Sequence, residues 1–151
     1  MSRVLVLRNE QKTRGLDLRL LRKITLHLLT NLLDEEAFEL GFRFVASKKM
    51  SEVNETFLQH SGSTDVITFD YAENGSGLHG EVFICIEDAI AQAKEFSTTW
   101  QSELVRYVVH AILHLQGYDD LTPVERKKMK VEENRLVKIL EAGFPLRKLA
   151  K

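Results

Sequence analysis

Apolar positions along the chain follow two periods. VLVL at 4–7, FRFVAS at 42–47, TDVITFDY at 64–71 and GEVFICI at 80–86 are short blocks rich in β-branched and aromatic residues, and each predicts a strand. In RGLDLRLLRKITLHLLTNLL the period changes, with Leu21, Ile24, Leu28 and Leu32 at the spacing of a helix face. The glycine-rich AENGSGLH between the last two strands reads as a loop. From residue 87 the chain turns helical. Thr98, with Gln101 three residues on, predicts a capping-box start for a helix through about Gln116, which Gly117 ends in a left-handed conformation. Thr122, Pro123 and Glu125 then open a helix expected to run to about Glu141, where Gly143 and Pro145 stop it. The expected fold is α+β: one domain over residues 1–151, with about four strands in a mixed sheet and helices gathered mainly at the two ends of the sequence.

Composition narrows the class. A chain of 151 residues with 44% apolar content is long enough for one substantial core, burying about 70% of its unfolded surface. No run of roughly 18 uncharged apolar residues occurs, and MSRVLVLRNEQK has neither a signal-type apolar stretch nor a cleavage site. A soluble, cytoplasmic protein without a membrane partner is therefore expected. The single cysteine, Cys85, lies in the apolar EVFICI, which excludes an internal disulfide and a cysteine-built zinc site. A net charge of -1 and a pI near 6.5 supply no strong basic field for nucleic acid. By charge alone, Lys48 with Lys49 and RKKMK at 126–130 read as solvated faces.

The chemistry concentrates in HAILHLQGYDD, residues 110–120. On the expected helix, Leu104, Val105, Val108, Val109, Ile112 and Leu115 form a broad apolar face, whereas Glu103, Arg106, Tyr107, His110 and His114 lie opposite. Histidines four apart stand one turn above another, close enough for both imidazoles to reach one ion. Gly117 lets the chain reverse at once, so Asp119 and Asp120 are the next residues able to reach back. HxxxHxxGxxD is thus a compact set of two imidazoles and one carboxylate with a coordination position left open, at the C-terminal end of a central helix. Zinc suits these ligands, and nickel, cobalt and manganese also accept them. The pattern is close to the zinc-peptidase motif HExxHxxGxxH, but Ala111 stands where the glutamate base would be, which argues against that mechanism.

With its flanking segments the sequence resembles the YbeY family of bacterial metal-dependent endoribonucleases, implicated in ribosomal RNA maturation and ribosome quality control. The resemblance runs from roughly Asn54 to Leu140: HGxLHLxGYDH appears as HAILHLQGYDD, a TDVLSF-like segment as TDVITF at 64–69, and a GDI-like strand as Gly80, Glu81 and Val82, with Met129 and Glu132 or Glu133 following. It implies His110, His114 and Asp120 as ligands of one zinc ion, and assigns Asp119 to orienting either the turn or a ligand. Three departures stand out. Asp120 occupies a position that is usually histidine, and Ala111 replaces a glycine. VNETFL puts Leu58 where the family's LNxxYR segment has an arginine. Leucine cannot stabilise charge developing on a phosphate, and losing one such donor costs on the order of 10² to 10³ in rate. His60, Arg43 and Lys48 are the candidate substitutes, giving an expected catalytic set of His114, His60 and Arg43. The implied partners are single-stranded ribosomal RNA, with contacts from Lys48, Lys49 and residues 64–71, and the small ribosomal subunit or its assembly factors. The rival readings are a non-catalytic, metal-braced ribosome-assembly binding protein and a metallopeptidase-like hydrolase.

Overall fold

The computed structural model describes residues 2–58, 65–73 and 77–151, with Leu58 as backbone only. Four strands form one mixed sheet: β1 (Arg3–Asn9), β2 (Phe38–Val45), β3 (Val66–Asp70) and β4 (Leu78–Cys85). Their order is β1-β2-β4-β3, with β1, β2 and β4 parallel and β3 antiparallel to β4 at one edge. Among the described residues five α-helices accompany them: α1 (Leu18–His27), α2 (Ser47–Leu58), α3 (Ile86–Glu95), α4 (Trp100–Leu115) and α5 (Pro123–Gly143). A π-helical turn, Leu28–Leu32, prolongs α1, and a 3₁₀ turn, Leu146–Leu149, follows α5.

Strand alternation gives the sheet two unlike faces. Phe38, Leu40, Phe42 and Phe44 of β2 and Leu78, Val82 and Ile84 of β4 point into the main core against α1, α4 and α5. Leu21, Ile24 and Leu28 supply the α1 stripe and are fully buried, each contributing about 1.5–3 kcal/mol of apolar burial. On the opposite face, α2 lays Met50 and Val53 over Val45, Ile67, Phe83 and Cys85 in a smaller core. Cys85 is buried there, as its apolar setting predicts.

Helix α2 departs from the expectation that helices gather at the two ends of the sequence. Its apolar spacing is short, with Met50 and Val53 buried among lysines and polar residues. A tertiary contact anchors its start, the Ser47 amide donating to the Glu87 carboxylate at 2.9 Å. The α4 start also differs. Thr99 rather than Thr98 is the cap and accepts from the Ser102 amide at 3.1 Å, while Gln101 reaches the Arg147 carbonyl at 3.3 Å instead of closing a box. The end of α3 takes up the preceding residues: Ser97 has a positive φ of 54°, and the Thr98 amide donates to the Ala93 carbonyl.

Gly80 brings the elements together at the sheet edge. A Cβ there would lie 2.5 Å from the Phe69 carbonyl of β3 and 2.9 Å from a Leu115 methyl of α4. The backbone carbonyl cannot yield without disturbing the β3–β4 ladder. Gly80→Ala is expected to cost about 1–3 kcal/mol by overpacking, read as a drop of several degrees in Tm, and an unchanged Tm would contradict this close approach.

Candidate metal centre

Helix α4 sits between β3 and β4 on one side and α3 and α5 on others, and is buried on most of its circumference. Glu103 and Tyr107, which the spacing places opposite the apolar face, are buried because α3 and α5 pack over that side. What stays half-open beyond Ser102 is the strip Arg106, His110 and His114, four residues apart on one line of the helix. The strip ends in a Schellman turn. Gly117, at φ 104°, donates its amide to the His114 carbonyl, and the Tyr118 amide donates to the Leu113 carbonyl. The reversal delivers Asp120 to the same spot, where the Asp119 carboxylate accepts from the amides of Asp120 at 2.7 Å and Leu121 at 3.2 Å.

His110, His114 and Asp120 each offer one donor atom, and these atoms lie within 4.8 Å of one another. The His114 Nε2 to Asp120 Oδ2 separation is 3.6 Å, close to the roughly 3.4 Å edge of a tetrahedron around an ion bound at about 2.1 Å. The other ring nitrogens decide the tautomers. His114 Nδ1 is 3.1 Å from the Tyr118 carbonyl, which can only accept, so this nitrogen carries a hydrogen and Nε2 is the ring nitrogen left to ligate an ion. His110 Nδ1 is 2.8 Å from the Glu133 carboxylate, which orients the ring in the same sense.

Glu133 is buried at 4% exposure and receives Arg106 at 2.8 Å and Lys130 at 3.2 Å as well. Burial pushes its carboxyl up. The hydrogen bonds from His110 and Arg106 and the charge of Lys130 outweigh this, bringing it down to about 2. The carboxylate is thus ionised and fully engaged while it holds the imidazole. β3 forms the facing wall with Val66, Thr68 and Asp70, beside Asp65, around an open cleft of about 410 Å³.

The other expected site residues do not converge here. Arg43 lies on β2 facing away from α4, over the Phe83 ring at 4.7 Å, with Glu10 at 2.8 Å and Glu81 at 3.5 Å. These carboxylates hold its guanidinium above its ordinary pKa, the hydrogen bond to Glu10 leading. Lys48 and Lys49 are exposed on α2, which covers that same opposite face. Their positions were open to misreading because strand parity and layer order, rather than local pattern, decide which face a residue serves. His60 and the Leu58 side chain lie outside the described residues. Glu133 and Arg106 were the reverse case: a contact between two helices across 23 or more residues has no spacing signature, and Glu133 was legible only as part of a family pattern.

The donor set fits a divalent cation. Two imidazoles and one carboxylate suit zinc-like ions, and both histidines have their Nδ1 atoms occupied by acceptors, as ligating histidines require. Fold and cluster together define a class: a mixed-sheet α+β protein with a cation-compatible His/Asp cluster at the end of its central helix.

Comparison with known proteins narrows this class to one family. The family model described as Endoribonuclease YbeY matches residues 6–141, reaching well before the segment from Asn54 on which the sequence resemblance rests. A protein named Endoribonuclease YbeY from Bacteroides fragilis is 42% identical over 97 residues, covering 64% of this chain and 69% of its own. The like-named protein of Parabacteroides distasonis is 41% identical over 102 residues, covering 68% and 71%. The solution structure of TM1509 from Thermotoga maritima superposes with a TM-score of 0.71 at 25% identity over 95% of both chains. The chain belongs to the YbeY family.

Glu103, beside Arg106 in the wall of the cleft, is a second buried carboxylate, and burial raises its pKa against the opposing charges of Arg106 and Lys130. A raised folded-state pKa means that ionisation costs stability: the cost is absent below the ordinary carboxylate range and complete above the folded pKa. Glu103→Gln is therefore expected to raise Tm at about pH 7 and to gain little at about pH 3.5. Thermal melts at both pH values check this, and equal shifts would assign the effect to something other than charge.

Proposed function

We propose that this chain is a metal-dependent endoribonuclease acting in ribosomal RNA maturation and ribosome quality control, with one zinc ion held by His110, His114 and Asp120. The observation that carries the reading is the convergence of two oriented imidazoles and a carboxylate within 4.8 Å, beside an open cleft. Its relatives' name, endoribonuclease, supplies the reaction class and the RNA substrate. In this reading the protein works in the cytoplasm on single-stranded ribosomal RNA, in contact with the small ribosomal subunit or its assembly factors. No helix among the described residues is long and apolar enough to cross a membrane.

A bound zinc ion would polarise a phosphate oxygen and ease deprotonation of a water. The chain's own residues set the geometry. Tyr118 and Glu133 engage the two Nδ1 atoms, which supports the Nε2 atoms as the ligating nitrogens. The Asp119 carboxylate accepts from two amides of the turn, which supports Asp120 rather than Asp119 as the proposed third ligand. His114 and, from outside the described residues, His60 remain the proposed catalytic histidines. Arg43 does not, because the thickness of the sheet separates it from the cluster. The binding-protein and peptidase readings are not favoured: the relatives carry the endoribonuclease name, and Ala111 is buried in α4 with no carboxylate at its position.

The test is cleavage of a labelled single-stranded ribosomal RNA fragment by the zinc-loaded protein beside an equally folded His114→Ala variant. Cleavage by the first and none by the second is expected; equal cleavage by both would dismiss the site. Metal content should be near stoichiometric in the wild type and in Asp119→Ala, and strongly reduced in His110→Ala, His114→Ala and Asp120→Ala. Undiminished metal in Asp120→Ala would move the third ligand elsewhere. Glu133→Gln should weaken metal affinity about 10- to 100-fold while keeping all three ligands, as measured by competition with a chelating dye.

A further inference from the structure

Beside the cluster, the cleft continues between α4 and α5 as an open cavity of about 670 Å³ that shares His110 and Asp120 with it. Three cations line this part: Arg106, Arg126 and Lys130. Two of them are committed to the buried carboxylate. Arg106 donates to Glu133 at 2.8 Å and to Asn134 at 2.7 Å, and Lys130 donates to Glu133 at 3.2 Å. Arg126 differs. Its Nε donates to the backbone carbonyl of Asp120 at 3.3 Å, and among the described residues it forms no ion pair with a carboxylate. This one contact tethers an exposed guanidinium to the backbone of the third proposed ligand.

Local sequence explains the placement. Thr122 caps α5 and Pro123 starts it, so the first turn follows Asp120 almost immediately. Arg126, Met129, Lys130 and Glu133 then stand at i, i+3, i+4 and i+7, one face of the helix turned to α4, with Met129 and Glu133 buried. The neighbouring Lys127 and Lys128 are exposed and do not line the cavity. RKKMK is thus divided: two of its cations face the cleft and two face solvent.

Electrostatics makes the division matter. The cavity walls otherwise carry carboxylates, among them Asp65, Glu103 and Asp120, which repel a polyanion. A divalent ion engages an oxygen of one phosphate, and the rest of that group's charge needs a donor. A guanidinium offers parallel N–H groups that match two phosphate oxygens. We infer that Arg126 is the phosphate clamp of this cleft, binding the phosphodiester presented at the His110, His114 and Asp120 cluster. This rests on the reading of the chain as an RNA-cleaving enzyme.

Two readouts test it: kcat/KM on a single-stranded RNA oligonucleotide with zinc-loaded protein, and the salt dependence of binding of the same oligonucleotide to metal-free protein. Arg126→Gln is expected to lower kcat/KM about 10²- to 10³-fold and to reduce the log–log salt slope by about 0.7. Its Tm and bound metal should stay at wild-type values. Arg126→Lys should restore the slope but only part of kcat/KM, since an ammonium lacks the fork. Lys127→Gln, an equal charge change one residue away, should leave both readouts unchanged. An Arg126→Gln variant that matches Lys127→Gln in both readouts overturns the assignment. So does loss of bound metal in Arg126→Gln, which would make the contact with Asp120 a structural tether. If the wild type binds but does not cut RNA, the nuclease reading fails, and the salt slopes still decide whether Arg126 contacts phosphate.

Discussion

The enclosure of α4 is the constraint on which the rest of the structure depends. With the sheet on one side and α3 and α5 on others, the helix has almost no free surface, and its one half-open strip carries Arg106, His110 and His114. A histidine on a helix free on one side would sample several rotamers. Here the backbone is immobilised by Leu104, Val108, Ile112 and Leu115 in the core, so the ring positions are set once two acceptors take their Nδ1 atoms. The core thereby does for the cluster what a rigid scaffold does for any site of precise geometry.

Glu133 is the polar counterpart of that packing. Buried alone it would be costly; with His110, Arg106 and Lys130 all donating to it, it is satisfied and ties α5 to α4. Such a carboxylate holds its partners as firmly as they hold it. The same packing creates the cleft, because α5 must leave α4 at the Asp120 turn and rejoin it at Glu133, leaving the cavity between them. The edge position of β3 supplies the other wall, and Gly80 lets that strand and Leu115 approach one backbone.

The two-faced sheet sorts the chain's charges. Arg43, Lys48 and Lys49 belong to the face that α2 partly covers, where Glu10 and Glu81 neutralise Arg43. Arg106, Arg126 and Lys130 belong to the cleft. The net charge of -1 is therefore a poor guide to this protein, since what an anionic substrate would meet is local.

Four strands, the two long C-terminal helices and the His110, His114 and Asp120 cluster were legible in the sequence, because each depends on local spacing: alternation for strands, four-residue steps for imidazoles, a glycine for the reversal. Helix α2 was not legible, since its short apolar stripe carries little periodic signal and its first turn is secured by Glu87, 40 residues away. The start of α4 shifted by one residue because the end of α3 took up the preceding positions, a competition between neighbouring elements. Tertiary structure alone decided that Glu133 would orient His110, that Arg43 would face away, and that Arg126 would stand beside Asp120. Each of these is a relation between surfaces brought together by burial of the core, and no period along the chain records which surfaces will meet.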